Sequence, residues 1–127
     1  MDYLSAEDIL QIHSIVVDET GGSHGVRNRH AILSLENSPK QTFANKELYP
    51  TLFSKAAVYA HNIIMDHPFI DGNKRTGMTC AAVFLEKNGY KISIREGGVE
   101  KFALEIVARR LDIKVISTWF KKHSSKL

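Results

Sequence analysis

The sequence predicts an all-α fold, a compact bundle of about six helices around a buried central helix. Two observations carry this expectation. Apolar residues recur at helical spacing in successive segments, each bounded by capping or breaking residues. One segment, Thr76 to Leu85, has no charged residue and is apolar on most faces, as suits a helix at the centre of a bundle.

The first helix opens at Ser5, an N-cap residue followed by Glu7 and Asp8, acids that favour a helix N-terminus. Ile9, Ile12 and Val16 carry it on until Gly21-Gly22 stops it. A glycine-rich loop with Gly21, Gly22, Gly25 and Arg27 leads to a short helix over Arg29–Glu36, ending before Pro39. Pro50 fits the first turn of a third helix, where its missing N–H costs nothing. Phe53, Ala56, Ala57, Ala60 and Ile64 mark its inner face, and it should end at His67, because Pro68 excludes the helical region for the residue before it. The central helix spans Asn73 to Asn88, with Gly89 beyond its end. Tyr90 to Ile94 alternates like a short strand. Val99, Phe102, Ala103, Ile106 and Val107 predict a fifth helix, and Val115, Ile116, Trp119 and Phe120 a sixth.

At 127 residues, without repeats or a linker, the chain reads as one domain over residues 1–127. The lone cysteine, Cys80, excludes an internal disulfide and a cysteine-based zinc site; its apolar neighbours predict a buried side chain. A reducing, cytoplasmic location follows as an expectation. The first five residues lack the pattern of a signal peptide, and no apolar run is long enough for a bilayer. The net charge of +3 is too small, and its tail lysines too few, to predict a nucleic-acid partner.

The chemistry concentrates in His67-Pro68-Phe69-Ile70-Asp71-Gly72-Asn73-Lys74-Arg75, the junction between the third helix and the buried fourth. A helix N-terminus leaves about four N–H groups unpaired and carries partial positive charge. Lys74 and Arg75 in that first turn oppose the dipole, a cost a bound anion offsets. Gly72 allows close backbone approach, and Asn73 can cap the helix or contact a ligand. Asp71 offers a hard oxygen suited to Mg²⁺ beside phosphates, and His67 an imidazole suited to general-base work. Singly, each has a plainer reading: Lys74 and Arg75 as solvated side chains, Asp71 as an N-cap or partner of Arg75, His67 as structural. Jointly they supply the parts of phosphoryl or nucleotidyl transfer. Phe69 reads instead as a core residue that anchors the loop. His61 lies six residues before His67, roughly 240° around a helix, so the two cannot share a metal. His13, His24, His30 and His123 show no ligand spacing.

These nine residues fill every position of His-x-Phe-x-(Asp/Glu/Asn)-(Gly/Ala)-Asn-(Gly/Lys)-Arg, so the sequence resembles the Fic/Doc family. Gly21 to Arg27, Glu47-Leu48-Tyr49-Pro50 and Phe84-Leu85 with Asn88-Gly89-Tyr90 extend the likeness over residues 4–94. Typical Fic enzymes, which transfer AMP, carry Gly where Lys74 stands and a second Arg where Met78 stands; Lys at the first position is the Doc pattern. The resemblance implies a toxin of a toxin–antitoxin pair that moves the γ-phosphate of ATP to a Ser/Thr hydroxyl, by resemblance on elongation factor Tu. His67 would be the base and Asp71 the Mg²⁺ ligand, with Gly72, Asn73, Lys74 and Arg75 on the ATP phosphates. A cognate antitoxin is the implied partner. The alternatives are an AMP transferase using the same loop and an inactive nucleotide- or partner-binding module.

Overall fold

In the computed structural model, which describes residues 1–127, six α-helices run in the order expected: α1 Ala6–Thr20, α2 Arg29–Ser34, α3 Leu52–Asp66, α4 Asn73–Lys87, α5 Gly98–Arg109 and α6 Ile113–Lys122. The fold is an all-α bundle with only small strand pairs. Ser5 caps α1 through a reciprocal box in which its hydroxyl accepts from the Asp8 N–H and Asp8 accepts from the Ser5 N–H. That second bond holds the Asp8 carboxyl below the usual carboxylate range. Gly21, left-handed, closes the helix.

The end of α2 and the start of α3 differ from the sequence expectation. α2 ends at Ser34, because the Leu35, Glu36 and Asn37 N–H groups reach back only three residues and the chain tightens into turns. A 3₁₀ turn over Ser38–Lys40 follows, with Pro39 buried. α3 starts at Leu52, two residues after Pro50: the proline lies outside the helix, and Thr51 caps it through Ser54. Its end falls at His67 as expected, but His67 is left-handed rather than extended.

Four short strands flank the bundle. β1 Thr42–Phe43 and β2 Lys46–Glu47 form a hairpin turned by Ala44 and Asn45, both at positive φ. β3 Tyr90–Ile92, within the expected strand, pairs antiparallel with β4 Ser124–Lys126. No helix is long and apolar enough to cross a membrane.

One hydrophobic cluster of 23 residues runs through the helices, and α3 and α4 form its centre. Between Thr76 and Leu85 no residue of α4 is exposed, as expected of the central helix. The α3–α4 crossing is close because Gly77 has no side chain: a Cβ there would lie 2.8 Å from the Ile64 side chain and 3.1 Å from the Ala60 carbonyl oxygen. Cys80 is fully buried, and burial pushes its thiol well above the ordinary range, away from nucleophilic use. A buried lysine completes the frame. Lys55, 1% exposed, donates to the Glu47 carboxylate at 2.8 Å and to the Pro39 and Tyr49 carbonyls. It thereby ties the 3₁₀ turn, the hairpin and the approach to α3 onto one ammonium group, whose burial those partners offset.

Candidate active site

The nine-residue junction between α3 and α4 is built as a tightly braced loop. Asn73, the first residue of α4, is buried and points its amide backward: its Oδ1 accepts from the Phe69 N–H at 3.0 Å and its Nδ2 donates to the Phe69 carbonyl at 2.9 Å. Both ends of the amide bond the Phe69 backbone, so the Asn73 side chain braces the loop from within. Phe69, 1% exposed, is the loop's anchor, as expected.

The glycine-rich segment forms the second brace. The Arg27 and Asn28 N–H groups donate to the Pro68 carbonyl, the Ile70 N–H donates to the Gly25 carbonyl, and Val26 bridges to Phe69. Gly22 approaches so closely that a Cβ there would lie 2.6 Å from Asp71 Oδ2. This approach lets the Ser23 N–H reach that same oxygen at 3.1 Å.

Asp71 is exposed and accepts from two backbone donors, Ser23 and, at 2.8 Å, its neighbour Gly72. These bonds, that from Ser23 foremost, hold its carboxyl below the usual carboxylate range. An ionised carboxylate therefore stands at the mouth of α4 throughout the neutral range. The cap residue of α4 is Gly72, which supplies no side-chain bond. The N–H groups of Asn73, Lys74 and Arg75 consequently have no partner in the chain. Lys74 and Arg75 are exposed and make no ion pair with any carboxylate.

Asp71, Gly72, Asn73, Lys74 and Arg75 line one cleft of about 680 Å³ between α1, α4 and α5. Its walls are Ile12, Ile15, Val16 and Glu19 of α1, Met78, Thr79 and Val83 of α4, and Val99, Glu100, Ala103 and Leu104 of α5. The structure thus brings five of the six expected site residues to one cavity. His67 is the exception: it is exposed at the end of α3, outside the lining of this cleft. Its Nδ1 lies 3.1 Å from the Met65 carbonyl. A carbonyl can only accept, so Nδ1 carries the hydrogen, which leaves Nε2 as the accepting nitrogen of the neutral ring.

The residue types suit a phosphorylated ligand with a divalent cation. Two unpaired cations and three free N–H groups offer anion contacts. A single ionised carboxylate suits Mg²⁺, which commonly takes one or two carboxylates and completes its shell with phosphate and water. No group of three or more His, Cys, Asp or Glu side chains is placed to hold a metal ion.

One participant escaped the sequence reading. His13 is 4% exposed; its Nε2 donates to the Asp71 carbonyl at 2.8 Å, and its ring stacks on Phe69 with centroids 3.7 Å apart. Metal-ligand spacing is the wrong test for such a residue. The available signal was its register: His13 follows Ile9 by four residues and precedes Val16 by three, on the face α1 turns inward.

Comparison with known proteins agrees with this architecture. The Fic/DOC family pattern matches residues 3–85. Toxin Doc of Mycolicibacterium smegmatis is 34% identical over 92 residues, which cover 72% of this chain and 68% of that protein. Protein kinase doc of Escherichia phage P1 is 27% identical over 92 residues, 72% of each chain. With the loop, the cleft and the matched span in agreement, the chain is a Doc-type member of the Fic/DOC family.

Proposed function

We propose that this protein is the toxin of a toxin–antitoxin pair and a protein kinase that transfers the γ-phosphate of ATP to a Ser/Thr hydroxyl. The observation that carries this reading is the set of groups at the start of α4: the Asp71 carboxylate, three unpartnered N–H groups, and the Lys74 and Arg75 side chains beside one cleft. Asp71 would hold a divalent cation that accompanies a phosphorylated ligand, which would offset the repulsion between carboxylate and phosphate. Mg²⁺, when bound, neutralises charge that develops on the phosphate oxygens. Lys74, Arg75 and the Gly72–Arg75 backbone orient the phosphates. Asn73 acts here by holding the loop.

His67 takes the proton. Its Nδ1–H is occupied by the Met65 carbonyl, so Nε2 is the nitrogen that accepts from the acceptor hydroxyl. The hydroxyl oxygen then bonds to the γ-phosphorus as the bond to the β-phosphate oxygen breaks, releasing ADP. Transfer of the γ-phosphate, rather than AMP, is favoured by Lys74 and by Met78. Where AMP-transferring relatives place a second Arg, the buried thioether of Met78 has no charge to offer a phosphate. The phage P1 relative is named Protein kinase doc, which points the same way for that protein. By family resemblance the substrate is elongation factor Tu, the consequence arrested translation, the place of action the cytoplasm, and the partner a cognate antitoxin.

The test uses bacterial lysate, Mg²⁺ and ATP labelled at the α- or the γ-phosphate. Label reaching protein from the γ position alone is the expected result. Label from the α position alone would make the protein an AMP transferase, and label from neither would leave the site a binding module.

A further inference from the structure

We propose that His13 is a positioning residue for the transfer reaction, acting through the peptide between Asp71 and Gly72. The proposal rests on the kinase reading above, although its structural half stands without it.

That peptide is held at both ends. Its carbonyl accepts the His13 Nε2–H at 2.8 Å, and its N–H donates to Asp71 Oδ1 at 2.8 Å. Because a trans peptide is planar, fixing the direction of the carbonyl fixes the N–H on the opposite side. The carboxylate that the N–H engages is fixed in turn. Pinning matters at this point because Gly72 follows, with φ +78. Glycine resists rotation of the preceding peptide less than any other residue. Nothing else in the chain engages the Asp71 carbonyl; without His13 the unit is held by its N–H bond to Oδ1, on a carboxylate that the Ser23 N–H anchors at Oδ2.

His13 is itself rigid. Its ring lies within 5° of parallel to Phe69, and Phe69 is locked to Asn73 by two hydrogen bonds. A Cβ on Gly72 would stand 3.9 Å from the His13 ring, so the histidine also closes the inner side of the loop. The chain of support therefore runs from α1 through one imidazole to the carboxylate at the mouth of α4. His13 does not line the cleft and touches no reacting atom.

Two substitutions separate the hydrogen bond from the packing. His13→Phe keeps an aromatic ring on Phe69 and removes the donor; His13→Gln keeps a donor and removes the ring. The first readout is amide hydrogen exchange at Gly72 and Ser23, the two donors to the Asp71 carboxylate, followed by NMR on the full chain. The second is the Mg²⁺ concentration giving half-maximal perturbation of those amides in the presence of ATP. The third is the split between kcat and KM for ATP-Mg²⁺ in the labelling assay.

His13→Phe should lower protection of the Gly72 amide about tenfold, the worth of one hydrogen bond, and raise the Mg²⁺ midpoint by a similar factor. His13→Gln should restore both toward the parent, even where its melting temperature is lower. A parent-like Gly72 amide and Mg²⁺ midpoint in His13→Phe would overturn the proposal. So would equal damage in both folded variants, which would assign His13 to packing alone. If His13→Phe does not fold, His13→Gln decides: parent values support the donor role, and lost protection at Gly72 refutes it. Should the parent protein transfer no label, the kinase reading fails, while the amide exchange still judges His13.

Discussion

His67→Ala is expected to slow transfer by about 10²–10⁴-fold, the usual contribution of a positioned general base. Its fold should survive. The imidazole is exposed, and its one hydrogen bond is to the Met65 carbonyl two residues away. His67 also sits at φ 49, a left-handed conformation in which histidine is several-fold enriched, so alanine carries a modest extra cost there. Stability should therefore fall by no more than about 1 kcal/mol, small against the loss of rate. Single-turnover kinetics on the purified protein, with a urea melt alongside, checks both halves. Full activity in the alanine variant would remove His67 from the mechanism.

Phe69→Ala should show the opposite signature, a large loss of stability with activity falling as a consequence. Phe69 is 1% exposed, stacks on His13, bridges to Val26 through its backbone and exchanges two hydrogen bonds with Asn73. Truncating a buried phenylalanine costs about 3–5 kcal/mol, from lost transfer energy and the cavity left behind. Against a total stability of about 5–15 kcal/mol for a typical domain, that is a substantial fraction. Urea denaturation reads it as a fall in midpoint. A shift equivalent to less than about 1 kcal/mol would mean that the loop does not depend on this anchor.

Much of the bundle was legible because its helices carry their own signals. Ser5 with Asp8 announces α1, Gly21 stops it, and the uncharged run from Thr76 to Leu85 marks the central helix. The β1–β2 hairpin was not legible: two residues per strand are too few to alternate, and its turn uses Ala44 and Asn45 where glycine is the usual cue. Nor was β4, whose Ser-Ser-Lys has no strand propensity and exists because Tyr90–Ile92 offers it an edge.

At the site, the residue types were legible and their division of labour was not. Asn73 has the same composition whether its amide faces a phosphate or the Phe69 backbone, and only the folded loop reveals the inward choice. His13 lies fifty-eight residues from Asp71 in sequence, so nothing local connects them. The loop at Gly22 likewise acquires its role through proximity to Asp71 Oδ2, a contact between distant segments. Helical periodicity reports which face is buried; it does not report which buried polar group meets which backbone atom.

The most direct measurement is calorimetric titration of ATP with Mg²⁺ into the parent protein and into a Lys74→Ala/Arg75→Ala variant. If the start of α4 is a phosphate cradle, the parent binds and the variant loses at least about tenfold in affinity, since each charge-assisted contact is worth about 1.5–3 kcal/mol. Equal binding by the two proteins would contradict the assignment of this helix end to the nucleotide.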